Sequence, residues 1–408
     1  MSSTLNSAPY TWLGYGESYN QLMSFFARAV YNYDERYILT ATYRFDGSSK
    51  FAAGNKWAQF PSLAFAWRLS EEKWFHIPAV SSAKLRLGWG MVGNQGIPSY
   101  QTIKRYSTSA VSTHDNDTHK LISLASLNLP SRDLKWETTS QYNVGLDLSL
   151  FDGRLSFTAD AYYKKTEDLL QTKILAGSAG VTNPYVNMGA IENKGFEIDV
   201  DFRIIQHRNV VWTLYANASF NTNSVASLHK LDRHTPGLTN GMYTAANEEG
   251  KSVSQAYGHK LNKKGEAASA DLDILGNTLP EYAGGLGTTL RLYGLTVDAR
   301  FSAAGGFNII NANKLVENGH DYISSDDLEK GDYLRLDCLC FSYDIPVRAK
   351  WIKDFKVNLA IRNLFTISGY SGWNPDVNSF GVTARGNGVD YGSFPLIRSV
   401  ALGVSLKF

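Results

Sequence analysis

The chain has 408 residues, 43% hydrophobic, 13% aromatic and 19% charged, and 40 Lys and Arg against 38 Asp and Glu leave a net charge of +2. So even a balance excludes a nucleic-acid or polybasic membrane-surface protein, and so many large aromatic rings exclude a disordered chain. Two Cys exclude a disulfide scaffold or Cys-rich zinc module, and no apolar run of about 18 residues offers a transmembrane helix.

The opening MSSTLNSAPYTWLGYGES has no basic stretch followed by an apolar one, so no export signal is read in it. From residue 24 onward, alternation with period two replaces any helical pattern, as expected of strands with two unlike faces. Phe25, Ala27, Ala29 and Tyr31 stand against Arg28 and Asn32, and Tyr37, Leu39, Ala41, Tyr43 and Phe45 against Thr40, Thr42, Arg44 and Asp46. Leu63, Phe65, Trp67 and Leu69 come next, then Leu85, Leu87, Trp89 and Met91 opposite Lys84 and Arg86. Tyr142, Val144, Leu146, Leu148 and Leu150 oppose Asn143, Gly145, Asp147 and Ser149, and Leu155, Phe157, Ala159 and Ala161 oppose Ser156, Thr158 and Asp160. The pattern is sharpest where Phe196, Ile198, Val200, Phe202 and Ile204 face away from Glu197, Asp199, Asp201 and Arg203. Trp212 to Phe220, Tyr282 to Leu290, Leu295 to Ala303, 333 to 345, Phe355 to Ile361 and Val400 to Phe408 bring the expected count to thirteen strands.

Between these segments the connections are expected to alternate strictly between short and long. Asp34 to Arg36, Glu71 to Ser82, Asp152 to Gly153, Gln206 to Asn209, Tyr293 to Gly294 and Pro346 to Asp354 are the short set. Gly47 to Ala58, Asn94 to Trp136, Lys165 to Ala190, Thr222 to Pro280, Gly305 to Lys330 and Thr366 to Ser393 are the long set. Strands of about ten residues with one apolar face, tight turns at one end and large loops at the other are the pattern of an outer-membrane β-barrel. In hydrocarbon the backbone N–H and C=O groups have no water to bind, so such a sheet must close on itself. Thirteen is odd where bacterial single-chain barrels are even, which points to a sheet lacking partners at its N-terminal edge.

Seven spaced segments resemble those of the SusC/RagA-type TonB-linked outer-membrane transporters, in their C-terminal barrel portion. They are YDERYILTATYRFDGSSKF (33 to 51), FPSLAFAWRLSEE (60 to 72), LRLGWGMVGNQGI (85 to 97), LKWETTSQYNVGLDLSLFDGRLSFTADAYYKKTEDLL (134 to 170), IENKGFEIDV (191 to 200), YLRLDCLCFSYDIP (333 to 346) and NLFTISGYSGWNPD (363 to 376). The closing FPLIRSV and the terminal Phe408 are similar too, so the likeness runs from about Met23 to the end. The resemblance implies an all-β antiparallel barrel of about 22 strands enclosing a plug, of which this chain carries the last thirteen. Residues 1–22 then read as the remainder of an extracellular loop and 23–408 as the barrel part, with plug domain and signal peptide absent.

The same resemblance implies outer-membrane import of oligosaccharide or peptide in a Gram-negative bacterium, with no enzymatic activity and no cofactor. It implies a SusD-like surface lipoprotein over the extracellular loops, a TonB complex engaged through the missing N-terminal part, barrel-assembly machinery, and lipid around the wall. A passive porin and an outer-membrane barrel enzyme are the rival readings.

Little in the sequence points to catalysis. His114 and His119, the closest His pair, lack an H-E-x-x-H pattern; DND at 115–117 and SSDD at 324–327 lack the Gly and distal Glu of a calcium loop and read as solvated charge. GGLGTT at 284–289 lacks the P-loop Lys, and its glycines suit curvature or close approach within a strand. Glu197, Asp199 and Asp201 read as lumen-lining charge. Cys338 and Cys340 share a face in poor geometry for bridging. Around them either Leu334, Leu336, Cys338 and Cys340 or Tyr333, Leu339, Phe341 and Tyr343 would face lipid, and alternation leaves both open. Trp57, Tyr100, Trp136, Tyr185, Tyr243, Tyr322, Tyr370 and Trp373 lie in long loops, where rings with apolar bodies could stack on sugar or peptide. Of these, Trp57, Tyr100, Trp136, Tyr185 and Trp373 are the ligand-facing candidates. Phe408 is the candidate assembly signal, because the last strand would offer its edge and terminal ring for strand pairing.

Overall fold

The alternating segments form thirteen strands. These are β1 (Leu22–Tyr33), β2 (Tyr37–Ser48), β3 (Trp57–Arg68), β4 (Val80–Asn94), β5 (Glu137–Leu150), β6 (Leu155–Glu167), β7 (Ala190–His207), β8 (Val210–Ser227), β9 (Tyr282–Leu292), β10 (Leu295–Gly305), β11 (Tyr333–Asp344), β12 (Asp354–Ser368) and β13 (Ser399–Lys407). The computed structural model describes residues 17–111, 121–126, 128–173, 175–181, 183–228, 234–236, 243–253, 255–262, 272–318, 322–347, 351–379 and 388–408. One sheet contains all thirteen strands in chain order, each antiparallel to the next, with β1 and β13 at its edges.

Register carries each apolar set onto its neighbour. Tyr31 stands opposite Leu39, Leu39 opposite Phe65, Phe65 opposite Leu87 and Leu87 opposite Val144. Val144 faces Ala161, Ala161 faces Phe196 and Phe196 faces Phe220. Farther on, Leu286 pairs with Ala216 and Phe301, and Leu359 with Phe341 and Leu402. One face of the sheet is therefore apolar from first strand to last. Because the side-chain period is two, a one-residue slip at any ladder would turn that strand's apolar set to the wrong side.

Two irregularities correct the simple alternation. Phe202 pairs with Leu214 but Ile205 with Trp212, so Ile204 is the extra residue and Ile205 takes the apolar place expected of Ile204. In β11, Leu336 pairs with Phe301 whereas Cys338 pairs with Arg300, leaving Asp337 as the bulged residue. The next ladder adds a further residue, on β12: Leu336 meets Phe365 and Cys338 meets Arg362, with Asn363 at φ 52 inside the β12 bulge. Neither reading of β11 survives whole. Leu334 and Leu336 share the apolar face with Leu339, Phe341 and Tyr343, while Tyr333, Arg335, Cys338 and Cys340 lie on the polar face.

Short connections close one end of the sheet. Tyr293 at φ 57 begins the two-residue turn to Gly294, and Phe151, Asp152 and Gly153 all take positive φ at the β5–β6 turn, the backbone hand that suits tight hairpins. Strict alternation of length fails once, because the β2–β3 connection at the other end (49–56) is shorter than the β3–β4 connection (69–79). Antiparallel order, rather than length, assigns these two to their ends.

At the long-connection end the loops build structure of their own. A four-stranded sheet (His234–Pro236, Tyr243–Ala246, Gln255–Gly258 and Asp273–Gly276) and a three-stranded one (Asn308–Asn311, Leu328–Lys330 and Val389–Asp390) flank the helix α1 (Ala312–Asn318). Among the described residues three apolar cores hold the loops. Phe51, Phe60, Ile97, Leu134 and Trp136 form the first; Ala256, Ile310, Ala312, Leu315, Ile323 and Val389 the second; Ala304, Phe307, Ile309 and Tyr370 the third.

Candidate functional site

The polar face of the sheet carries clusters of charge with tyrosines between them. On β4 and β5, Arg86 donates to Asp147 and, 2.8 Å away, to Asp160 of β6, while Lys84 sits 2.8 Å from Asp147. Gly145 makes room for this: a Cβ there would lie 2.4 Å from Asp160 Oδ1 and 2.6 Å from Arg86 Cζ. Tyr162 likewise lies across Gly195 and donates to Asn221 at 3.0 Å, and Tyr215 lies across Gly287. Further along, Thr289 and Arg300 both donate to Asp298 at 2.8 Å, and Ser302 to Asp337 at 3.0 Å. Glu197, Asp199 and Asp201 are exposed on this same face. Glu197 and Asp199 line a recess of about 550 Å³ with Thr158, Asp160, Asn217, Ser219, Ser302 and Tyr333, over the glycines 284 and 285. Such a surface offers many hydrogen-bonding groups to a wet solute, and Arg–carboxylate pairs hold its long side chains in place.

Above this face stands the loop cap. Glu329 receives the Ser371 amide and hydroxyl at 2.7 Å each and Asn311 at 2.9 Å, with Lys314 of α1 2.9 Å away. Burial works to raise this carboxyl, but hydrogen bonds from Ser371, Asn311 and Lys314 outweigh it and hold it down at about 2. Tyr370 donates to the buried Asp390 at 2.6 Å; burial first, then that bond, pushes its hydroxyl well above the usual tyrosine range. Arg335 of β11, itself buried, ties the cap to the wall by donating to Asn374 at 2.8 Å and Asp376 at 3.3 Å.

The ring candidates separate by location. Trp57 stacks on Phe45 (4.7 Å between centroids) and Phe25 on the apolar face of the sheet, the position of an interfacial girdle ring. Trp136 is 5% exposed, packs on Phe51 and Phe60, and donates to the Lys56 carbonyl at 2.9 Å, so it is loop core. Tyr185 packs against that same core. Tyr100, at φ 66, accepts the Tyr19 amide at 2.8 Å. Trp373 is 76% exposed beside Asn374. Tyr322 lies edge-on to His259, and the side chain of Tyr243 is outside the described residues. Phe408 stacks on Trp351 at 5.9 Å beside the short-connection end.

SSDD proves to be internal structure, because Asp327 is 2% exposed and accepts the Ser324 amide and hydroxyl at 2.8 and 2.7 Å. His114, His119 and the 115–117 acids lie outside the described residues. Among the described residues no three His, Cys, Asp or Glu come together as metal ligands. Composition hid the link from Arg335 to Asn374 and Asp376. Its only trace was the WNPD string within the segment at 363–376.

A long antiparallel wall, apolar on one face and charged on the other, with hairpins at one end and a folded cap at the other, defines the wall of an outer-membrane-type β-barrel. Residues 2–364 match the family described as TonB dependent receptor-like, beta-barrel, and the chain belongs to that family. Members of this family are outer-membrane proteins of Gram-negative bacteria. TonB-dependent receptor P3 of Formosa agariphila is 29% identical, matching 95% of this chain and 46% of that protein. TonB-dependent receptor SusC of Bacteroides thetaiotaomicron is 28% identical over 95% of this chain and 44% of its own length. The chain thus spans about half the length of these curated relatives. In fold it is similar to the RagAB peptide importer in its open-open state, with a TM-score of 0.80 at 22% identity over 95% of this chain and 47% of that one.

Proposed function

We propose that residues 23–408 form the C-terminal wall and loop cap of a SusC/RagA-type importer that carries oligosaccharide or peptide across the outer membrane by TonB-dependent transport. Of the stretch 1–22 expected as an extracellular-loop remainder, residues 1–16 lie outside the described residues, and in this reading the plug and TonB-contacting segment belong to the rest of the full-length protein. One observation supports the reading: a single apolar face persists through twelve ladders while the opposite face carries the Arg86, Asp147 and Asp160 cluster and the Asp298 and Arg300 pair. Lipid satisfies the first face and a hydrated lumen the second. The cap, with Trp373 exposed on it, is where a SusD-like lipoprotein and the solute would be met. β13 and Phe408 serve as the element by which assembly machinery takes up the strand. Deletion of Phe408 should lower outer-membrane insertion, with Phe408→Tyr mild.

The test uses the full-length protein restored to a strain deleted for it. Growth on defined oligosaccharide and peptide panels should return for one class and vanish when TonB is removed. Uptake that persists without TonB would leave the passive-pore reading. In full-length protein with every native cysteine, Cys338 and Cys340 included, changed to Ser, Lys251→Cys in a long connection should react with an impermeant thiol reagent on intact cells and Arg208→Cys in a hairpin should not. Reversed labelling would invert the topology.

A further inference from the structure

The two cysteines stand on the polar face of β11 with their sulfurs 2.8 Å apart, and both are free thiols in this structure. Two residues of extended chain put their Cα atoms about 6.6 Å apart, inside the roughly 4.4 to 6.8 Å that disulfides span. The bulge at Asp337 lies immediately before them, and bulges sharpen the local twist of a strand. The expectation of poor bridging geometry thus gives way to a pair whose sulfurs already meet. Nothing in the charge clusters described above uses either thiol.

We propose that Cys338 and Cys340 close to an intrastrand disulfide by exchange with a protein disulfide of the cell envelope, the location of that oxidant resting on the outer-membrane reading. Such compartments keep disulfides oxidised. Cys338 is the attacking sulfur. Arg300 and Arg362 are its partners on the two neighbouring strands, whereas Cys340 has Asp298 and Ala360. Cationic ladder partners favour attack by Cys338, whose sulfur carries negative charge as it approaches the oxidant, and Asp298 opposes that charge at Cys340. The Cys338 thiolate attacks the oxidant's disulfide, breaking that S–S bond, forming a mixed disulfide and releasing one oxidant thiolate. Cys340 then gives its proton to solvent and attacks the Cys338 sulfur. The Cys338–Cys340 bond forms as the second oxidant thiolate leaves, so the pair loses two electrons and the oxidant becomes a dithiol. The closed ring spans only three residues, so little loop entropy is removed from the unfolded chain. The bond acts locally, holding the lower half of β11 in its shifted phase.

The experiment counts thiols on the peptide that carries Cys338 and Cys340, cut from full-length protein extracted from outer membranes and denatured in an alkylating reagent. No label before reduction and two labels after it are expected. Two labels before reduction would overturn the proposal. Cys338→Ser and Cys340→Ser should each leave one thiol that labels without reduction. In folded protein the thiol of Cys338, left by Cys340→Ser, should react several-fold faster than that of Cys340, left by Cys338→Ser; the opposite order would overturn Cys338 as the attacking group. No transport is read in these measurements, so they fail or hold apart from the proposed function.

Discussion

The wall and the cap are stabilised in different ways. Along the wall, mid-strand apolar side chains such as Val144 (51% exposed) and Leu87 (42%) have no protein to pack against outward, and the face behind them is charged. In the cap, Ile309, Ile310, Val389 and Phe51 are at most 1% exposed, as in the core of a soluble domain. The wall is held by its ladders and by its surroundings, because backbone pairing and lipid supply what a core supplies elsewhere. The cap holds itself by burial and by a few buried polar bonds. Damage to one region should therefore be read by different measurements from damage to the other.

The largest separation is expected from Trp136→Ala, which empties the centre of the first loop core and should cost about 3 to 5 kcal/mol. Protease should then cut the long connections of the full-length protein while its far-ultraviolet strand signal persists. Loss of that strand signal along with the cap would show that the two regions fold as one. Next comes Val200→Arg on the apolar face, expected to cost roughly 2 to 4 kcal/mol in lipid vesicles, with Asp199→Arg on the other face nearly neutral. Equal costs would break the assignment of faces. Removing the Tyr370 hydroxyl with Tyr370→Phe leaves the Asp390 carboxylate short of a buried donor and should cost about 1 to 3 kcal/mol, read by cap proteolysis alone.

Acid tests the same cap through one carboxylate. Glu329 sits at about 2 in the folded cap against an ordinary value of 4.5. Its contribution is therefore complete above about 4.5 and is lost as pH falls from there through about 2. Protease sensitivity of the 306–332 and 369–398 connections should rise across that window and lose this dependence in Glu329→Gln. A cap whose acid response is unchanged by that substitution would remove Glu329 from its hub.

The same contrast explains how much could be read from the residues alone. A wall in contact with two solvents must repeat its chemistry every second residue, so thirteen strands and their faces were legible, down to Phe196 opposite Phe220. The cap has no such periodic demand. Whether Trp136 meets a ligand or Phe51 depends on contacts between loops 80 residues apart in the chain. The acidic SSDD string looked like solvated charge because its partners are its own backbone and Ser324. Inside the wall, the faces were misread where a residue was added: Ile204 lost its place to Ile205, and Asp337 divided β11 into two phases.

That added residue behaves like a dislocation in a crystal. The step lies between Arg300 and Phe301 on β10, passes through Asp337 on β11, and is followed by an extra residue at Asn363 on β12. Beyond it, from Arg362 to Asp354, β12 and β13 pair without a further shift. Between the same two rungs β10 takes one step (Phe301 to Arg300), β11 two (Leu336 to Cys338) and β12 three (Phe365 to Arg362). The excess grows by one residue per strand and reaches two, a whole side-chain period, so β10 and β12 alternate in step across it while Asp337 takes up the odd residue in a bulge. In evolutionary terms such a wall can lengthen by whole periods without sacrificing a face, and a one-residue insertion survives where a bulge absorbs it.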